Sequence, residues 1–130
     1  MVVAIVDTSA VFALLDADDA HHATAIEAWD SAAAVDLVAH AYVVTESLSL
    51  IRARLGWPAV VEFVDHVLPA LRTEMVTHDV HHAALRTYRS VGGGTSFVDR
   101  VTIAFAQAHG IGRALAFDAD LEAAGLEPLR

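Results

Sequence analysis

The stretch Val2-Val3-Ala4-Ile5-Val6-Asp7-Thr8-Ser9-Ala10 decides the fold. Val2 to Val6 is an unbroken apolar, mostly β-branched run without the alternation of a strand that has one wet face. It suits a strand buried on both faces of a parallel sheet. Asp7 follows at once, and Asp7-Thr8-Ser9 is N-cap chemistry for a helix running to Leu15. A buried strand turning directly into a helix is the first half of a βα unit, and the chain continues in kind. Asp16 to Ala20 reads as an acidic loop, His21 to about Ala33 as an amphipathic helix with Ile26 and Trp29 inward, and Val35 to Ala39 as a second strand. A helix from about Tyr42 to Leu55 carries Val44, Leu48, Ile51 and Leu55 on one stripe and stops at Gly56. Trp57-Pro58 opens another, with Val60, Val64, Val67 and Leu71 as its buried face. Glu74 to Thr77 reads as a strand, Asp79 to Val91 as a helix, and Gly92-Gly93-Gly94 as a break. Thr95 or Ser96 then caps a helix to His109, with Phe97, Val101, Ala104, Phe105 and Ala108 inward and Gly110 as its stop. Ala114 to Phe117 and Leu126 to Leu129 supply late strands. Alternating strands and helices predict an α/β sandwich around a mainly parallel sheet.

The 130 residues match one domain, spanning 1–130, and 55% hydrophobic residues against 19% charged supply a core that a disordered chain lacks. No apolar run approaches the ~20 residues of a membrane helix, and the N-terminus lacks the basic region of a secretory signal, so a cytoplasmic protein with no membrane role is expected. The chain has no Cys, which removes disulfides, thiol nucleophiles and Cys-based zinc sites. All eight basic residues are Arg. Without Lys, the P-loop, Schiff-base enzymes and lysine-assisted aspartyl-phosphate chemistry are excluded. The net charge of −9 argues against a nucleic-acid binder held by a basic face. A phosphate substrate would need a metal as intermediary.

Asp7 and Asp118 each follow a strand-like run, so in a parallel sheet both project from the carboxyl edge, where open α/β sheets carry their sites. Glu46 lies in the first turn or so of the helix entered from the second strand and begins at the same edge. Asp99 joins them if its helix leads back into the strand Ala114 to Phe117. Each acid also has a structural reading: Asp7 as a helix cap, Glu46 and Asp99 as complements to a helix dipole, Ser96-x-x-Asp99 as a capping box, and Asp118-Ala119-Asp120 as a turn. Jointly, carboxylates crowded on one rim repel and raise one another's pKa unless a cation neutralises them. Oxygen ligands without Cys favour Mg²⁺ or Mn²⁺ over zinc. His78 and His82, four apart, straddle a helix start and lack a third ligand, so they are read as helix-surface residues.

Ile5-Val6-Asp7-Thr8-Ser9-Ala10, Val44-Thr45-Glu46, Ser96-Phe97-Val98-Asp99-Arg100 and Leu115-Ala116-Phe117-Asp118-Ala119-Asp120, in this order and spacing over the whole chain, resemble the PIN domain, specifically the VapC toxin ribonucleases of toxin–antitoxin pairs. The resemblance implies a three-layer α/β/α sandwich, a Mg²⁺- or Mn²⁺-dependent endoribonuclease acting on RNA, inhibition by a cognate VapB-type antitoxin, and a homodimer. Asp7, Glu46, Asp99 and Asp118 match the family's catalytic, metal-binding quartet, with Asp7 and Asp99 the main ligands and Glu46 or Asp118 accepting a proton. Ser9 matches the small polar residue beside the first acid. Asp120 is an accessory acid or an exposed loop charge, and Arg52, Arg54, Arg89 and Arg100 are candidates for flanking phosphates. Ala116 stands where members often have Thr, so a hydroxyl near the last acid is missing. The alternatives are a PIN nuclease of RNA maturation without an antitoxin, and a catalytically silent interaction module. So apolar a composition also predicts an exposed patch for association, drawn from the Trp57 to Leu71 helix, including Phe63, and from the His21 to Ala33 helix.

Overall fold

The computed structural model describes residues 1–129. Five strands, β1 (Val3–Val6), β2 (Asp36–His40), β3 (Arg72–Glu74), β4 (Arg113–Leu115) and β5 (Glu127–Pro128), form one sheet in the order β3-β2-β1-β4-β5. Every pairing is parallel. The helices are α1 (Thr8–Leu15), α2 (His22–Asp30), α3 (Ala41–Leu55), α4 (Trp57–Glu62), α5 (His78–Val91), α6 (Phe97–His109) and α7 (Ala119–Ala123). The strand order steps from β1 outward on one side through β2 and β3 and on the other through β4 and β5. The sheet therefore reverses direction at β1, and a crevice opens at its carboxyl edge there.

Side-chain alternation along the strands divides the core in two. Ala4, Val6, Leu37, Ala39 and Leu115 face a cluster completed by Val11, Leu14, Val43, Ile51 and Phe63, while Ile5, Val38, Ala114 and Ala116 face one completed by Val80, Val101, Phe105 and Leu121. Helices α1 to α4 thus cover one face and α5 to α7 the other, giving the α/β sandwich around a parallel sheet that the residue pattern predicts, in the three-layer α/β/α form that the PIN resemblance implies. Among the described residues, no helix is long and apolar enough to cross a membrane.

Several local expectations are corrected. The stripe on α4 and beyond is Val60, Phe63, Val67 and Leu71, with Val64 43% exposed: Phe63, three residues on from Val60, shares its helical face and the larger ring takes the inward place, ahead of a wider π turn at Phe63–Val67. In α2, Ala25 and Ala28 are buried and Ile26 is exposed; the helix ends at Asp30, and the small residues let it approach α1 closely. In α3 the buried line is Val43, Ser47 and Ile51, with Val44, Leu48 and Leu55 half-buried beside it. In α6, Thr102 and Ala106 are buried and Ala108 is exposed. The third strand is Arg72–Glu74 and not Glu74 to Thr77, since Thr77 is instead the N-cap of α5, accepting from Val80 N–H at 3.2 Å.

One buried polar residue joins the layers. His40, at the end of β2, is the N-cap of α3: its Nδ1 accepts from the N–H groups of Tyr42 and Val43 at 3.2 and 3.4 Å. On the other side of the ring Nε2 lies 2.8 Å from Thr102 Oγ1 on α6. The Thr102 hydroxyl already donates to Val98 O at 3.0 Å, so it accepts from Nε2–H and the imidazole is the neutral Nε2–H tautomer. Burial lowers the His40 pKa to about 4, in keeping with that neutral form. Replacing Thr102 by Val keeps the shape but leaves the Nε2–H without an acceptor in a dry core. Urea denaturation of Thr102→Val is expected to show a loss of about 1–3 kcal/mol; unchanged stability would show that the bond contributes nothing net.

Candidate active site

Parallel pairing of β1 with β4 brings Asp7 and Asp118 to one rim. Asp7 N–H continues the ladder onto Leu115 O at 3.1 Å, and Asp7 then caps α1. Its Oδ2 accepts from Ser9 N–H at 3.3 Å and from the Ser9 hydroxyl at 2.9 Å. Ser9 Oγ in turn accepts from Phe117 N–H at 2.9 Å, fastening the end of β4 to the start of α1. Asp118 caps α7, its Oδ1 accepting from Asp120 N–H at 2.8 Å. The expected turn at Asp118-Ala119-Asp120 is therefore the start of a helix.

Asp99 is the third residue of α6. Ser96 Oγ accepts from Asp99 N–H at 3.1 Å, the capping geometry expected of Ser96-x-x-Asp99, and it leaves the Asp99 carboxylate turned into the crevice. One carboxylate oxygen from each of Asp7, Asp99 and Asp118 lies within 4.8 Å of the others. Glu46 does not join this trio. It stands in the second turn of α3, half-buried, and faces the same open cleft of about 330 Å³ from another wall, with Arg54 and Leu50 nearby. Among the described residues the three aspartates are the one group of three or more acidic, His or Cys residues close enough to share an ion.

The electrostatics follow from crowding and burial. Asp7 is 2% exposed, and burial raises its pKa despite the hydrogen bonds from Ser9. Its Oδ1 is buried without a hydrogen-bond partner. Asp99 is pushed up to about 7, first by burial and then by the charges of Asp7 and Asp118. A carboxyl whose pKa is higher in the folded chain than in the unfolded one binds its proton better when folded, so its stabilising effect is complete below pH ~4 and is lost as pH rises through about 7. The donor set is all oxygen and the unpartnered Oδ1 faces like charges, an arrangement that fits a hard divalent cation.

The remaining candidates fall at varying distances from the cleft. Arg54 lines it, its guanidinium 5.6 Å from the Phe12 ring centroid. Arg52 rests on Trp57 at 5.7 Å, and Arg89 is an exposed residue of α5; neither lines the cleft. Arg100 turns away from it, Nη2 donating to Thr95 Oγ1 at 3.0 Å, while that hydroxyl donates to Asp120 Oδ2 at 3.3 Å. Asp120 is exposed and outside the trio. Ala116 is buried on the α6 face, and Ser9 supplies the hydroxyl that touches the end of β4. His78 and His82, ring centroids 4.2 Å apart, are exposed on α5. The residues missed from sequence are Asp19 and His21, which line the cleft from the loop before α2, together with His40 beneath α3. The paired His21-His22 was the signal for the first; nothing local marks His40 as a cap.

Comparisons with known proteins agree with this geometry. Residues 4–126 match the PIN domain. Over 127 residues, 96% of each chain, the sequence is 35% identical to a Mycobacterium tuberculosis protein named 23S rRNA-specific endonuclease VapC20. The crystal structure of that VapC20, described as a sarcin–ricin loop cleaving toxin, aligns with a TM-score of 0.85 and 34% identity over 95% of each chain. FitAcB from Neisseria gonorrhoeae shares the fold with a TM-score of 0.71 at 15% identity, covering 98% of this chain and 96% of its own.

Replacing Asp99 by Asn removes one repelling charge and keeps the backbone cap. The metal-free variant is expected to melt above the wild type, with a gap that widens from pH 4 to pH 7.5, on the order of 4 °C per kcal/mol for a domain of this size. The melting shift that mM Mn²⁺ gives the wild type should shrink in the variant. Calorimetry at several pH values checks both, and a gap independent of pH would contradict the crowding argument.

Proposed function

The chain belongs to the PIN-domain family, in its VapC branch, and we propose that it is a toxin ribonuclease whose acids at the carboxyl edge hold a divalent ion for hydrolysis of an RNA phosphodiester. One observation carries the reading: three carboxylates from β1, α6 and the end of β4 converge with the buried Asp7 Oδ1 unpartnered. Asp7 and Asp99 would be the main ligands of Mg²⁺ or Mn²⁺, with Asp118 beside them. The chemistry such an ion would supply there is neutralisation of charge at the phosphate and a lowered pKa for a bound water. Because the mycobacterial relative is named for 23S rRNA and its sarcin–ricin loop, that loop is the proposed substrate.

The protein's own groups have separable tasks in this proposal. Ser9 fixes Asp7 Oδ2, which leaves Oδ1 without a hydrogen-bond partner of its own. Asp118 Oδ1 is already engaged by Asp120 N–H, whereas Glu46 stands apart from the trio on another wall of the cleft and is the better placed acceptor for the proton of the attacking water. Arg54 reaches a flanking phosphate from the same wall. With the aspartates neutralised, a net charge of −9 does not exclude RNA.

The toxin reading brings a cognate VapB-type antitoxin as partner, and a homodimer is proposed with it. Trp57, Val61 and Val64 form an exposed apolar line along α4 and the turn after it, at 60%, 41% and 43% exposure. Phe63, expected on this patch, is fully buried and belongs to the core. Light scattering at micromolar concentration is expected to give a dimer, and Val61→Asp a folded monomer; a monomeric wild type would contradict the assignment.

Asp7→Asn tests the chemistry. It keeps an N-cap side chain on α1 and removes the charge, so the fold should persist while cleavage falls by at least ~10²-fold, beyond the ~10–100-fold cost of outer-sphere changes. Mapping of RNA 5′ ends after induced expression should show one dominant cut for the wild type and none for the variant.

A further inference from the structure

We propose that His21 is a stacking platform for an unpaired nucleobase beside the scissile phosphate; the inference rests on the ribonuclease reading and names the contact by which that site holds its RNA. The rings of His21 and Phe117 lie parallel, centroids 4.6 Å apart and planes 7° from one another, at the cleft that also holds the four acids. His21 is exposed and Phe117 half-buried, so the imidazole forms the outer layer of a two-ring stack.

The stack is fixed relative to the acids. Phe117 directly precedes Asp118, which places their Cα atoms ~3.8 Å apart, and Phe117 N–H is bound to Ser9 Oγ, the same hydroxyl that holds Asp7. His21 is delivered by a braced loop: Asp16 Oδ1 accepts from Asp18 N–H at 3.0 Å, and Asp19 Oδ1 accepts from His21 N–H at 2.8 Å. His22 Nδ1, 2.7 Å from Ala13 O, anchors the next residue to α1.

The charge distribution gives the stack a purpose. Phosphate contacts to Lys and Arg ordinarily dominate affinity for nucleic acid, yet among the described residues Arg54 is the one guanidinium lining a cleft walled by five acids. Stacking of a base on an aromatic ring does not depend on net charge and is open to any unpaired base. It also selects for single-stranded loops, since a duplex hides its base faces.

The test is a cycle between the protein and the RNA. Cleavage of an RNA hairpin carrying the sarcin–ricin loop is measured for the wild type, His21→Ala and His21→Phe, and again with an abasic nucleotide at each loop position in turn. His21→Ala is expected to raise KM about tenfold with little change in kcat, His21→Phe to restore it, and the alanine penalty to fall below about twofold at one abasic position, where no base is left to stack. An unchanged KM in His21→Ala, or a penalty that persists at every abasic position as it would if His21 only shaped the loop, overturns the platform. If the wild type with Mn²⁺ leaves the hairpin uncut, the substrate assignment fails. The same cycle read by fluorescence anisotropy then decides the platform: coupling between His21→Ala and one abasic position upholds it, and additivity throughout overturns it.

Discussion

Ser9 and Phe117, 108 residues apart in the chain, are joined through one hydroxyl, with Ser9 Oγ accepting from Phe117 N–H and donating to Asp7. Everything at the carboxyl edge depends on that junction. It extends the β1–β4 ladder past its last strand pair, it leaves one Asp7 oxygen satisfied and the other bare, and it sets Phe117 and Asp118 at a fixed offset from the first acid. A second junction, His40 between α3 and Thr102 of α6, fixes the helices that carry Glu46 and Asp99. The cleft is therefore defined by two hydrogen-bonded clamps of opposite character, one at the wet rim and one in the dry core.

The site runs against the stability of the fold that holds it. Asp7 is buried beside two other carboxylates, and Asp99 is pushed up to about 7 by its own burial and by the charges of Asp7 and Asp118. Such an arrangement persists only because the apolar sheet beneath supplies the compensating burial, with Ala4, Ile5, Val6, Val38 and Ala39 fully enclosed. Acid pH relieves the aspartates. It does not relieve the whole protein, because His40 is held neutral and its folded-state pKa of about 4 lies below that of the unfolded chain, so protonation of the imidazole opposes folding as pH falls below ~6.5. The two groups thus pull stability in opposite directions across mildly acidic pH, and the capping histidine limits how far acidification can favour the metal-free fold.

What sequence could and could not convey divides along physical lines. The unbroken run Val2 to Val6, with caps at Asp7 and Ser96 and stops at Gly56 and Gly110, encodes its structure within a few residues, and the structure follows it. Positions set by tertiary packing were legible only in part. Nothing local distinguishes Phe63 from Val64 as the buried residue, since both lie near the Val60 face of the helix and packing in the core decides between them. Ile26 is more apolar than Ala25 or Ala28, but the close approach of α2 to α1 favours the small side chains. The acids were readable because strand ends and helix starts place them at one edge. The three-and-one arrangement was not, because Glu46 sits in the second turn of α3 and its distance from the trio depends on how that helix packs on the sheet, which no local pattern records. His21 was legible as a residue and illegible as a stack, since its partner lies at the far end of the chain.

The central claim is that Asp7, Asp99 and Asp118 form one ion site with Glu46 at its margin. Carboxyl ¹³C spectra recorded during addition of substoichiometric Mn²⁺ test it directly, because paramagnetic broadening reports proximity to the ion. The account predicts that the signals of Asp7, Asp99 and Asp118 vanish first and that of Glu46 next, while those of Asp16, Asp18 and Asp30 stay sharp. Broadening that begins at Asp16 or Asp18, or that spreads evenly over all seventeen acidic side chains, would contradict it.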